Sequence, residues 1–145
     1  MIALDTNILV YAVGTHDKAP AARTIVKRAA LSGAILPLQV IAEFANVCRR
    51  KRILNVAGVR ARISEFADGF TTVPTAERHI DAAITIADRY QLPFFDSLIC
   101  EVARDFGAAT LLSEDFHDGI SLSGFTILNP FNAANAGRID ALLAF

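Results

Sequence analysis

Short apolar runs alternate along this chain with longer stretches in which apolar side chains return every third or fourth position. Ile2 to Leu4 reads as a buried strand. Ile8 to Val13 is apolar too and continues past a turn as a helix start or a loop. From Asp17 the spacing is helical: Ala22, Ile25, Val26 and Ala29 share one face, Pro20 suits a first turn, and Ser32-Gly33 ends the run. Ala34 to Leu36 is a second strand. After Pro37, Val40, Ile41, Phe44, Val47 and Cys48 form an apolar stripe that runs into Arg49-Arg50-Lys51-Arg52. Val59, Ile63, Phe66, Ala67 and Phe70 mark another helix, and Thr71 to Val73 a third strand. Thr75 is placed to cap a helix carrying Ile80, Ala83, Ile84 and Ala87 on its apolar face. Leu92 to Phe95 reads as an apolar loop. Asp96 stands at an N-cap position before Ile99, Val102, Ala103 and Phe106, and Gly107 closes that helix. Ala109 to Leu112 and Phe125 to Leu128 are the fourth and fifth strands. The tail from Asn129 to Phe145 is loop-like, then weakly helical from Arg138 to Leu143.

Strands alternating with helices predict an α/β fold with a parallel central sheet of about five strands and helices on both faces. At 145 residues the chain is sized for a single domain, 1–145. The 53% hydrophobic share fits a rich core. Cys48 and Cys100 lack CxxC or CxxH spacing, so they read as buried thiols. No signal-like segment or membrane-length apolar stretch is visible, so a cytoplasmic, non-membrane protein is expected.

The net charge of −1 conceals an asymmetry. Residues 1–62 carry ten Lys and Arg against three acids: Asp5, Asp17 and Glu43. Residues 63–145 carry four against twelve. A basic surface beside an acid-lined pocket suits a polyanion held for cutting.

Those acids fall in telling places. In a parallel α/β sheet, sites form at the carboxyl ends of strands. Asp5 follows the first strand and Asp115 closely follows the fourth. Asp96 starts a helix that can face the same edge. Glu43 sits at the border of its helix's apolar stripe, with Asn46 further along the same side. Four such acids brought together repel unless a cation lies between them, and hard cations such as Mg²⁺ prefer carboxylate and water oxygens.

The same residues carry a family resemblance. Asp5-Thr6-Asn7, Glu43 with Asn46, Phe94 to Ile99, Leu112 to Phe116 and the closing Asn129-Pro130-Phe131 resemble, in order, the motifs of PIN-domain nucleases. A bare domain of this length resembles the VapC-type toxins. The resemblance implies a three-layer PIN-like fold and an Mg²⁺- or Mn²⁺-dependent endoribonuclease, often dimeric and silenced by a cognate antitoxin. Asp5, Glu43, Asp96 and Asp115 match the family's acids, and Thr6, Asn7 and Ser113 match its polar supports. Glu114 and Asp118 crowd the same loop as Asp115, so the fourth acid stays open among the three. The carboxylates would hold one or two ions that activate a water for in-line attack on phosphate. Arg49, Arg50, Lys51 and Arg52 are candidates to steer the RNA backbone, or a solvated helix end matched to the dipole.

Other readings fit less well. A receiver or haloacid-dehalogenase domain needs a late Lys, and the last one here is Lys51. No GxGxxG or P-loop is present. His16, His79 and His117 lack zinc-site spacing; His79 is expected on an exposed helix face and His117 in a surface loop. A PIN nuclease of RNA processing, or a non-catalytic RNA-binding module of the same fold, are the alternatives. The module gains nothing from clustered acids.

Overall fold

The computed structural model describes residues 1–144; Phe145, the end of the expected domain and tail, lies outside the described residues. The chain runs β1 (Ile2–Leu4), α1 (Thr6–Val13), α2 (Ala19–Leu31), β2 (Ile35–Pro37), α3 (Leu38–Arg50), α4 (Val56–Gly69), β3 (Thr71–Val73), α5 (Glu77–Tyr90), α6 (Phe94–Asp105), β4 (Thr110–Leu112), β5 (Ser121–Leu122), β6 (Phe125–Leu128), a 3₁₀ turn (Ala133–Asn135) and α7 (Ala136–Leu142). The strands form one sheet, ordered β3-β2-β1-β4-β6-β5 and flanked by helices. All neighbours pair in parallel except β5, which returns antiparallel on β6.

β1, β2 and β4 are buried at every position. That is why they read as continuous apolar runs without alternation. The chain adds β2 and then β3 on one side of β1, and later places β4 on the other. Leu4 lies opposite Leu112. The β1–β4 boundary is therefore the point where strand order reverses, and side chains leaving both strands meet above it. No helix among the described residues is long and apolar enough to cross a membrane.

Four local expectations are revised. The sheet has a sixth strand, β5, joined to β6 by Ser123 (φ 52°) and Gly124 (φ 88°). Two successive positive-φ residues match strand twist in a tight hairpin, and Ser-Gly is a weak signal for it in sequence. The cap of α5 is Ala76 rather than Thr75.

The face of α5 is also rotated. Ile80 and Ile84 are exposed, whereas His79, Ala83 and Ile86 are buried. His79, expected at the surface, is only 3% exposed. Its Nδ1 accepts the Ala76 N–H at 2.8 Å, so the proton sits on Nε2, which donates to Asp105 on α6 at 2.8 Å. A polar residue wins the inner face because both ring nitrogens are satisfied there. Finally, α6 begins at Phe94, which makes Asp96 the third helical residue and not the cap.

The tail is built in. Ile139 and Leu143 are buried, and Arg28 on α2 donates to the Asp140 carboxylate at 2.6 Å.

Candidate active site

Asp5 ends β1 and caps α1. Its extended backbone (φ −87°, ψ 162°) breaks strand from helix, and one carboxylate oxygen accepts the Thr6 N–H at 2.7 Å. The backbone N–H of Asp5 donates to the carbonyl of Leu112 at the end of β4, at 3.0 Å. Sheet pairing thus delivers the segment after β4 to Asp5. Ser113 is the first residue of that segment and is 1% exposed. Its hydroxyl donates to Asp5 Oδ2 at 2.6 Å and accepts the Asp115 N–H at 3.1 Å. Asn7, on the first turn of α1, reaches across: its Nδ2 donates to Asp115 Oδ2 at 2.9 Å and to Asp5 Oδ2 at 3.3 Å.

Glu43 is held from two sides on α3. Thr6 Oγ1 donates to Oε2 at 3.0 Å and Gln39 Nε2 to Oε1 at 2.8 Å. The same Gln39 amide donates to the carbonyl of Phe95 at 3.1 Å. It therefore ties α3 to the start of α6, one residue before Asp96. Gln39 did not stand out in the sequence. Its one available signal was its place one turn before Glu43.

The acids sense one another. Asp5 is 4% exposed, and its carboxyl is pushed up to about 6. Burial is the main cause, offset by the Ser113 and Thr6 hydrogen bonds and reinforced by the charges of Asp115 and Asp96. Asp96 is also raised, by burial first and then by Asp115 and Glu43. Glu114 and Asp118 are shifted the other way. Burial raises Glu114, but its bonds from Lys18 and Tyr11 outweigh this and hold it low. Asp118 accepts from Asn129 N–H, Asn132 and Asn135 and is held low by them. Each is committed to neighbours, whereas Asp115 faces Asp5 and Asp96.

A cleft of about 320 Å³ opens here, lined by Thr6, Asn7, Tyr11, Glu43, Lys51, Glu114 and Asp115. Of the basic run, Lys51 alone reaches this cleft. Arg49 and Arg52 line a separate groove between α3 and α4, and Asn46 lies in that groove as well, away from the acids. Arg50 is exposed.

The donor set is all oxygen, which suits a hard divalent cation. Asn7 Oδ1 is a further buried oxygen with no hydrogen-bond partner. Among the described residues, no three of the acids, His or Cys come close enough together to grip one ion as the side chains stand. Asn7, Ser113, Thr6 and Gln39 bridge the gaps instead.

A model of the PIN domain matches residues 2–117, a span that contains all four acids. No curated protein sequence matches significantly. Among solved structures, a VapBC2 complex from Rickettsia felis bound to a promoter DNA fragment superposes with a TM-score of 0.68 at 18% identity, over 89% of this chain and 98% of that one. A toxin–antitoxin complex from Klebsiella pneumoniae gives 0.64 at 16%, over 90% and 98%. VapC20 of Mycobacterium tuberculosis, described as a toxin that cleaves the sarcin–ricin loop, gives 0.64 at 17%, over 79% and 92%. At such identities the superpositions speak to fold. It is the family match, running unbroken from β1 to the loop after β4, that makes this chain a member of the PIN domain family.

Proposed function

We propose that the chain is a metal-dependent endoribonuclease and the toxin of a toxin–antitoxin pair. The observation that carries this reading is the approach of four carboxylates from four segments, two of them raised above their ordinary values by burial and by the charges of their neighbours. Asp5 and Asp96 would be direct ligands of Mg²⁺ or Mn²⁺. Glu43 would be a ligand or would orient water, and Asp115 would complete the set. Such an ion, when bound, acidifies water and stabilises charge at the scissile phosphate. The residues around the acids keep them in place: Ser113 and Thr6 fix Asp5, Gln39 and Thr6 fix Glu43, and Asn7 holds Asp115. Lys51 offers a positive charge to an RNA backbone entering the cleft.

The partners in this reading are RNA, an antitoxin and a second copy of the chain. An apolar groove of about 690 Å³, floored by Ile53, Leu54, Val56 and Val59 and edged by Arg49 and Arg60, supports an antitoxin segment that is apolar with acidic flanks. A toxin–antitoxin complex from Klebsiella pneumoniae has a similar fold.

The test is cleavage of labelled total RNA by the purified chain. Cutting is expected with Mg²⁺ or Mn²⁺, absent with EDTA, and reduced by roughly 10²-fold or more in Asp5→Asn and Asp96→Asn. Full metal-dependent cutting by either variant would falsify the assignment. Sequencing the new ends identifies the target. Co-purification with a small neighbouring gene product supports the toxin role.

A further inference from the structure

The acid cleft does not end at Asp115. Lys51 and Tyr11, which line it, also line a second cleft of about 570 Å³. This lies between α1, the turn carrying Gly14 to His16, and the turn carrying Lys51 to Ile53.

Two features mark it out. The first is charge. Lys51 and Arg52 are exposed and form no ion pair among the described residues, while nearby Lys18 is neutralised by Glu114. Arg52 is held at φ 54°, a conformation that side chains other than Gly seldom adopt. It is fixed between Arg52 N–H to Arg49 O at 3.3 Å and Ile53 N–H to Cys48 O at 2.9 Å. The second feature is aromatic. The Tyr11 and His16 rings lie 4.6 Å apart with 36° between their planes, and Tyr11 meets Phe131 edge-on at 5.6 Å. The Tyr11 hydroxyl donates to Glu114, so the platform is braced, and His16 remains exposed upon it.

Cations beside a stacking surface are what single-strand binders use, because a lone strand offers a phosphate and an unstacked base at each step. The groove between α3 and α4, by contrast, has an apolar floor. We infer that the second cleft carries the RNA strand away from the acids, with backbone phosphates on Lys51 and Arg52 and one base on the Tyr11–His16 pair. This rests on the ribonuclease reading and adds a path for the strand.

The test measures anisotropy of a labelled, unstructured 12-nucleotide RNA with the intact chain in EDTA, over a range of salt. The same strand in a duplex serves as comparison. Lys51→Ala and Arg52→Gly, the glycine retaining the backbone conformation, are expected to weaken single-strand binding roughly fivefold or more. Each should make the salt slope shallower by about 0.7. His16→Ala is expected to weaken it by at least about fivefold with the slope unchanged. Arg62→Ala, on the exposed side of α4, should change nothing. In the cleavage assay these cleft variants should raise KM and retain kcat.

If the wild-type chain cuts RNA while all three cleft variants bind and cut as it does, the path is overturned and the ribonuclease reading stands. That is also the outcome if a protein segment occupies the cleft. Equal binding of duplex and single strand overturns the seating of an unstacked base on the Tyr11–His16 pair. If the wild-type chain neither binds nor cuts RNA, both fall.

Discussion

Burial of Asp5 sets the sign of its titration against the hydrogen bonds from Ser113 and Thr6. Its carboxyl stands at about 6 against an ordinary 3.8, so the fold favours the protonated form. With no divalent ion present, that contribution to stability is whole below about pH 4 and is lost as pH rises through 6. Asp5→Asn is therefore expected to be more stable than wild type by about 1–3 kcal/mol at neutral pH in EDTA, with the difference vanishing near pH 4. Thermal melts at both pH values check it, and a difference independent of pH would count against it.

Gln39 gives a second residue-scale expectation. Its single amide nitrogen serves Glu43 and the Phe95 carbonyl, so it sets how Glu43 stands relative to the segment bearing Asp96. Gln39→Ala is expected to lower kcat by roughly tenfold with KM for RNA little changed, because an orienting contact is lost and not a substrate contact. A change in KM alone would show that Gln39 meets the substrate instead.

At the scale of elements, three acids within one loop divide the work. Asp115 and Glu114 both line the cleft, but Glu114 is paired there with Tyr11 of α1 and with Lys18, and Asp118 gathers Asn129, Asn132 and Asn135. Asp118→Ala is expected to lower stability by about 1–2 kcal/mol while the cleavage rate stays within about twofold. Asp115→Ala should do the reverse. Denaturant melts paired with rate measurements separate the two. Order along the chain cannot make this division, since all three acids lie within five positions. Their partners come from α1, the β6 end and the following turn. The rotated face of α5 has the same origin. Periodicity placed the helix, but an imidazole with both nitrogens bonded lies inward in place of isoleucines that face out.

Across the whole molecule, the basic first half and acidic second half meet at the cleft: Asp5 and Glu43 come from one, Asp96 and Asp115 from the other. An ion bound there would link the two halves and stabilise only the folded chain. Mn²⁺ at about a hundred times its Kd is expected to add about 2.7 kcal/mol, a rise in Tm of several degrees that EDTA reverses. The same titration on Asp96→Asn should show a clearly smaller rise. An equal rise in both would place the ion elsewhere.

The order of the helices and of every strand but β5, and the segments bearing the acids, followed from sequence alone. Apolar periodicity is local, and a strand buried on both faces must read as an unbroken apolar run. Tertiary structure alone decided which loop acid faces Asp5, that Gln39 bridges Glu43 to the start of α6, that Asn46 turns away into another groove, and that His79 lies inside. Each of these depends on a hydrogen-bond partner or neighbouring surface distant in the chain, and no local pattern encodes such a pairing.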